Sequence, residues 1–137
     1  MDYYKLSEEP LAAAKANKDQ GLYRMSVSMA TLAIDLLLKS VVHRIESAHD
    51  LIMGHNHAGM VTFVETIYPK KDKIRHAAKL SRKYFNASRY SRVENLALFS
   101  EELADEFICY AELIKEYVDN DCQATIEDLQ TRFSKQH

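Results

Sequence analysis

The clearest structural signal in the chain lies in residues 94–121, ENLALFSEELADEFICYAELIKEYVDND. Apolar residues recur there every three or four positions, which places their side chains on one face of an α-helix. The members of this stripe are Leu96, Phe99, Leu103, Phe107, Tyr110, Ile114 and Tyr117. The pattern predicts a long amphipathic helix that ends at Asn120 and Asp121.

The rest of the chain is equally suited to helices. It has only three glycines and two prolines, and no run of alternating β-branched residues that would indicate a strand. With 137 residues and 47% hydrophobic content, it is large enough to bury a continuous core without disulfides or a metal. We therefore expect an all-α fold and one domain spanning residues 1–137.

Two helices are predicted in the N-terminal third. Ser7 can cap the first, which runs toward Gln20, and Gly21 suits the left-handed position that follows a helix. The second runs over residues 22 to about 46 and is apolar on two stripes, which predicts the central helix of a bundle. The stripes are Met25, Met29, Leu32 and Leu36, and Ile34, Leu38, Val41 and Ile45.

Shorter elements are predicted between the second helix and the long final one. A loop over residues 49–59 precedes a short helix over about 60–67, and Asp72 can cap a fourth helix. A break is predicted at residues 87–91, and a short terminal helix at 124–133. Long helices with short connections pack antiparallel, so we expect an up-and-down bundle of four main helices with short extra helices.

The cysteines and the N-terminus bear on the compartment. Cys109 and Cys122 lack the CxxC spacing of redox and zinc motifs, and a domain of this size does not depend on a disulfide. The N-terminus has no basic start followed by an apolar segment, and we expect no stretch that approaches a membrane span. These features predict a cytoplasmic protein without a membrane segment.

Charge is segregated along the chain, although the formal net charge is only −2. Nine of the 18 basic residues fall within residues 70–92, against the single acid Asp72, whereas residues 94–128 carry eleven acids and the one base Lys115. The basic residues of the first segment are Lys70, Lys71, Lys73, Arg75, Lys79, Arg82, Lys83, Arg89 and Arg92.

The basic segment is interleaved with Tyr84, Phe85 and Tyr90, a combination that can meet phosphates while a ring stacks on a base. The residues that we expect to attract an anionic ligand over a distance are Arg75, Lys79, Arg82 and Lys83. The alternative is that the basic helix lies beside the acidic one in the bundle, where the two charges complement each other.

Two charged residues interrupt the apolar second helix. Asp35 and Lys39 lie four residues apart, so their side chains meet on one face of the helix. Burial of either charge without a partner would be costly. The two residues therefore form either a structural ion pair or part of a ligand groove.

Histidines gather around the predicted loop, at His43, His49, His55 and His57. Imidazoles are common zinc ligands, but no two of these are spaced as a helical pair and no carboxylate is spaced as a third ligand. We predict a solvated loop and no metal site. The chain also lacks a glycine-rich dinucleotide motif, a Walker loop and a nucleophile elbow, so we predict no cofactor.

Three segments together resemble the HEPN superfamily. Residues 33–39, AIDLLLK, are similar to the family's acid-x-x-x-lysine in its second helix, and residues 49–51, HDL, resemble its His-Asp-Leu after that helix. Tyr84 with residues 87–91, ASRYS, is similar to the Tyr and Ala-Arg-Tyr-Pro stretch before the final helix, with serine in place of the proline. The resemblance covers roughly residues 22–117.

The resemblance implies a bundle of four or five helices that usually forms a homodimer, often beside a minimal nucleotidyltransferase encoded in the same operon. Many members bind nucleotides or RNA. A large subset are ribonucleases of toxin–antitoxin systems, which use an Arg and a His a few residues apart near the start of a later helix. Here Arg44 and His49 have such a spacing at the end of the second helix instead.

The hypothesis that follows is a non-catalytic HEPN-like module that binds a nucleotide or a nucleic-acid backbone. Arg89 and Tyr90 would contact phosphate and base. Lys39 and His49 would line the same groove, with Asp35 orienting Lys39.

Two alternatives belong to other classes. One is a metal-independent ribonuclease in which His49 acts as acid or base and Arg44 or Arg89 stabilises the developing charge. The other is a module that only docks a protein partner, such as a nucleotidyltransferase, through its apolar surface and acidic last helix.

Overall fold

The computed structural model describes residues 2–44, 57–65, 71–90 and 98–122. Within these ranges the chain forms five α-helices and no strand, so the all-α class expected from the sequence is confirmed. The helices are α1 (Tyr3–Asp19), α2 (Tyr23–Val42), α3 (His57–Glu65), α4 (Asp72–Tyr90) and α5 (Glu101–Asp121).

The four long helices run alternately up and down, as predicted. Gly21 makes the tight turn between α1 and α2 with a φ of 76°, in the left-handed region that favours glycine. Lys18 near the end of α1 pairs with Asp105 near the start of α5. Lys71, just before α4, pairs with Asp121 at the end of α5 at 2.8 Å. Both α1 and α4 therefore run antiparallel to α5.

α2 lies at the centre of the bundle and contacts each of the other four helices. Its length and composition alone would allow it to cross a membrane, but 78% of its most apolar window is buried inside the bundle. The expectation that no stretch approaches a membrane-spanning composition is therefore wrong for α2. The apolar residues responsible, among them Ile34 and Leu38, form the core.

The start of α1 differs from the expectation. The carboxylate of Asp2 accepts a hydrogen bond from the Lys5 amide at 3.0 Å, so Asp2 caps a helix that begins four residues before Ser7. Ser7 lies within the helix, where its buried hydroxyl donates to the Tyr4 carbonyl at 2.5 Å. Pro10 consequently lies inside α1 and not in its first turn.

The middle of the chain also departs from the predicted boundaries. α3 begins at His57, within the segment predicted as a loop, and α4 continues to Tyr90 through the predicted break. The Ser88 hydroxyl donates to the Phe85 carbonyl at 3.4 Å, so this serine is satisfied inside the helix. α5 starts only at Glu101, after its cap Ser100, and ends at Asp121 as predicted. The predicted terminal helix at 124–133 lies outside the described residues.

Candidate functional site

A row of polar residues runs along α2 where it meets α3 and α4. Ser28, Thr31, Asp35 and Lys39 are spaced by three or four positions, so they share one face of the helix. All four are buried, and Asp35 is only 1% exposed. We call this row the polar seam of α2. Buried polar groups require hydrogen-bond partners, and the seam obtains them both within α2 and from the neighbouring helices.

The carboxylate of Asp35 is shared between two partners. Lys39 Nζ lies 2.7 Å from Asp35 Oδ2, and His57 Nε2 lies 3.0 Å from Asp35 Oδ1. On the opposite side of the imidazole, His57 Nδ1 lies 2.8 Å from Ser81 Oγ. A continuous chain of polar contacts thus joins α2, α3 and α4 at a point where His57 and Ser81 are fully buried.

The environment of Asp35 favours its ionised form. Burial by itself raises the pKa of this carboxyl, but hydrogen bonds from His57 and Lys39 and the attraction of their charges outweigh burial and hold the pKa below its ordinary value of 3.8. Asp35 is therefore negatively charged at neutral pH. It compensates the buried ammonium of Lys39, which supports the structural interpretation of this pair.

Ser81, His57 and Asp35 are hydrogen-bonded in the order of a nucleophile, a base and an acid. In hydrolases the nucleophile opens onto a cleft where the substrate carbonyl can reach it. Here Ser81 is fully buried, and the His57 ring packs edge-on against Phe85 with ring centroids 5.2 Å apart. We therefore assign these three residues to holding α3 against α2 and α4.

Arg89 closes the same interface nearer the start of α2. Its guanidinium donates to the Ser28 carbonyl at 3.0 Å, to the Thr31 hydroxyl at 3.3 Å, and to the Phe85 carbonyl of its own helix at 2.5 Å. It also lies over the Phe85 ring, 4.1 Å from the centroid. Protein acceptors and a ring thus engage this guanidinium, which joins α4 to α2, and its contact with a phosphate stays a prediction.

The predicted ligand groove can now be compared with the structure. Asp35, Lys39 and Arg89 do lie on one surface of α2, but that surface is the buried interface with α3 and α4 and not an open groove. His49 and the side chain of Tyr90 lie outside the described residues.

The basic residues of α4 form an exposed surface. Lys79 and Lys83 are exposed and Arg82 is partly exposed, and no ion pair involves them within the described part of the chain. Asp72 is the single acid of this helix. We call this surface the basic face of α4. Its members are Lys73, Arg75, His76, Lys79, Arg82 and Lys83.

The ion pairs of the α5 acids are formed mainly with lysines of α1 and of α5 itself. The pairs within or onto this helix are Lys15–Glu112, Lys18–Asp105 and Lys115–Asp119. Lys71, just before α4, contributes one further pair, with Asp121. The alternative that the basic and acidic helices merely complement each other therefore holds at that end, but not for Lys79, Arg82 and Lys83.

The histidines do not behave as one group. His57 is fully buried in α3 rather than in a solvated loop, which corrects that prediction. His43 Nδ1 lies 2.9 Å from the Lys39 carbonyl at the end of α2. His49 and His55 lie outside the described residues. Among the residues that the structure describes, no three metal-ligating side chains form a cluster.

Arg44, one of the two residues of the ribonuclease alternative, has a structural contact. Its guanidinium donates to the carbonyl of Cys122 at 3.2 Å, just after the last turn of α5. A cation at the C-terminal end of a helix suits the helix dipole and satisfies a carbonyl that has no partner in the helix. Arg44 therefore ties the end of α2 to the end of α5.

Sequence reasoning missed Ser81 and assigned His57 to a solvated loop, although a signal for the buried position of each was present. His57 stands three, four and seven positions before Met60, Val61 and Val64, so helical spacing extends that apolar face back to the histidine. Ser81 occupies the same face of α4 as its buried apolar residues. The exposed His76 in the middle of the basic face was also overlooked.

A family model described as the HEPN domain matches residues 1–121. The match includes all five helices, the polar seam and the basic face. Neither a search of curated proteins nor a search of solved structures gave a match. Since the family model covers most of the 137 residues, this chain belongs to the HEPN domain family, and membership supports a nucleotide- or RNA-related helical module in general terms.

Proposed function

We propose that the protein binds RNA or a nucleotide through the basic face of α4, as a module without catalytic activity of its own. The observation that carries this proposal is the accessibility of Lys79, Arg82 and Lys83. The acids of α5 form ion pairs with lysines of α1 instead. Cations placed in this way neutralise phosphates and release their counterions, which drives binding. Membership of the HEPN family supports the ligand class.

The dimensions of the basic face suit a phosphate backbone. At about 1.5 Å of rise per residue, the ten steps from Lys73 to Lys83 span roughly 15 Å of helix. Consecutive phosphates of one strand are about 3.4 Å apart along the axis of a duplex, so the face is long enough for several of them. A mononucleotide would use only part of this surface.

The test compares two triple variants that remove the same charge. One carries Lys79→Gln, Arg82→Gln and Lys83→Gln on α4, and the other carries Lys5→Gln, Lys15→Gln and Lys18→Gln on α1. The probe is a fluorescein-labelled oligouridine RNA, and binding is followed by fluorescence anisotropy. Thermal melts by circular dichroism establish that both variants are folded.

We expect the α4 variant to bind the RNA at least about tenfold more weakly than the wild type, equivalent to about 1.4 kcal/mol. The α1 variant should stay within about twofold of the wild type, because its lysines lie on a different helix. Equal losses in both variants would mean that only net charge matters. An unchanged affinity in the α4 variant would exclude this face as the binding surface.

The same samples distinguish binding from catalysis. We expect the RNA to remain intact after prolonged incubation with concentrated protein in EDTA. Cleavage that disappears in a folded His49→Ala variant would replace the binding proposal with the metal-independent ribonuclease and would support a toxin–antitoxin role.

A second candidate function is self-association through an apolar face on α1 and α2. Leu6 and Met25 are 47% and 39% exposed. Leu6 is one of the mainly apolar side chains that line a shallow cavity of about 270 Å³, together with Met29, Leu32 and Leu36 of α2. Met25 lies one helical turn before Met29. Contiguous apolar surface of this kind marks interaction sites. We propose a second copy of the chain as the partner, with a nucleotidyltransferase as the alternative.

We also propose a reducing, cytoplasmic location. Cys109 and Cys122 are both free thiols. Burial raises the pKa of Cys122 to about 12, so this thiol stays protonated and unreactive inside the bundle. The exposed Cys109 is the group that an oxidising compartment would modify, and its presence favours a reducing one.

A further inference from the structure

A row of aromatic rings leads from the core of the bundle to the basic face. Ring centroids are 6.4 Å apart between Phe99 and Tyr84, 5.1 Å between Tyr84 and Phe107, 5.5 Å between Phe107 and Tyr110, and 6.1 Å between Tyr110 and His76. Phe99 and Phe107 are buried, both tyrosines are partly buried, and His76 is exposed. His76 is therefore the outermost ring of this row.

The ring of Tyr110, which supports His76, is held in place by contacts with its neighbours on α5. Tyr110 packs on the fully buried Phe107, and its hydroxyl donates a hydrogen bond to the carboxylate of Glu106. Burial and this hydrogen bond raise the pKa of Tyr110 to about 12, so the hydroxyl remains a donor at neutral pH. His76 meets Tyr110 at an interplanar angle of 87°, an edge contact that positions the imidazole and leaves it exposed.

Three lysines surround the exposed imidazole. Lys73 and Lys79 lie three positions before and after His76, and Lys83 lies seven positions after it, so helical spacing places all three on the same side of α4. Each of them is exposed. The arrangement combines a supported ring with cations on both sides, which is the combination that holds a base by its π face and its flanking phosphates by charge.

We infer that His76 is a stacking platform for a base of single-stranded nucleic acid, whose phosphates lie against Lys73, Lys79 and Lys83. This inference rests on the proposed function, because it uses the same basic face. It adds the ligand class: a duplex keeps its bases stacked on each other and offers this surface only phosphates, whereas a single strand also offers base faces.

The experiment compares an oligouridine RNA with an abasic strand of the same length and charge. Stacking of one base on a platform residue strengthens binding measurably, so we expect the wild type to prefer the base-bearing strand by about tenfold. His76→Ala should abolish this preference and leave binding of the abasic strand unchanged. Asn86→Ala, an exposed position on the same helix, is the matched control and should keep the preference.

A second variant gives a direct signal. The chain contains no tryptophan, so His76→Trp introduces a single indole at the platform. We expect this variant to retain the preference, and its fluorescence to be quenched by the base-bearing strand but not by the abasic strand. Equal binding of both strands by the wild type, or a preference that survives His76→Ala, would overturn the platform while leaving the phosphate contact in place. Failure of both strands to bind would overturn the proposed function as well.

Discussion

His57 Nε2 lies 3.0 Å from Asp35 Oδ1, and neither side chain is more than 1% exposed. This contact connects α3 to the middle of the most buried helix. Because Asp35 also holds the ammonium of Lys39, one carboxylate compensates polar groups on two helices. Loss of this one side chain would therefore remove a polar partner from α2 and from α3 at the same time.

Replacement of Asp35 by alanine should destabilise the protein by about 3–5 kcal/mol, because it removes the carboxylate member of a buried ion pair. The double variant Asp35→Leu with Lys39→Met should lose less, since it removes both members of the ion pair. Asp19→Ala at an exposed position is the control and should change the free energy of unfolding by less than about 0.5 kcal/mol. Urea denaturation measures all three, and a double variant as unstable as Asp35→Ala would contradict the account.

The low pKa of Asp35 predicts sensitivity to acid. The unfolded chain protonates this carboxyl near its ordinary value of 3.8, and the folded chain does so only at lower pH. The unfolded state therefore binds the proton more readily, and the stability that Asp35 contributes is complete above about pH 4 and is lost as the pH falls through the folded pKa. Urea midpoints between about pH 6 and pH 3 should fall less steeply in Asp35→Asn than in the wild type. Identical slopes would mean that another group controls acid unfolding.

Of the two contacts of Asp35, the one with Lys39 could be predicted from the sequence. Asp35 and Lys39 stand four residues apart in an apolar helix, so their pairing follows from local spacing and the cost of burying charge. The contact with His57 depends instead on how a helix 22 residues away packs across α2, which no local rule specifies. Histidine, glycine and asparagine around that position indicated a loop, and tertiary packing overrode this composition.

Arg89 gives a prediction that separates a structural role from ligand binding. Arg89→Lys keeps the charge but loses the planar fork that reaches Ser28 and Thr31 together, so the protein should lose about 1–3 kcal/mol of stability. At a temperature where the variant is folded, its affinity for oligouridine RNA should change by less than about twofold. A large loss of affinity with full stability would support Arg89 as a phosphate contact.

Self-association through the apolar face predicts a concentration-dependent dimer in sedimentation velocity. Leu32→Glu places a charge in the middle of this face and should yield a folded monomer, because the charge would be buried without a partner. Ala12→Glu, at an exposed position of α1 outside that cavity lining, should remain dimeric. A monomeric wild type at high concentration would remove the second copy as the occupant and leave a different protein partner.

The basic face shows what charge patterning can and cannot predict. The concentration of positive charge in α4 is visible in the sequence, and so are the acids of α5. Which helix neutralises those acids depends on packing, because Lys15 and Lys18 of α1 reach across to α5. The same limit applies to Arg89, whose charge was evident but whose contacts with α2 depend on the continuation of α4 to Tyr90.

The central claim is that the basic face of α4 binds phosphates, and the salt dependence of RNA affinity tests it most directly. Each phosphate neutralised on a single strand contributes about −0.7 to the slope of log K against log salt concentration. Removing the charges of Lys79, Arg82 and Lys83 together should therefore make the slope shallower by about 2, while the matched triple variant on α1 keeps the slope of the wild type. An identical slope in the wild type and the α4 variant would contradict the account.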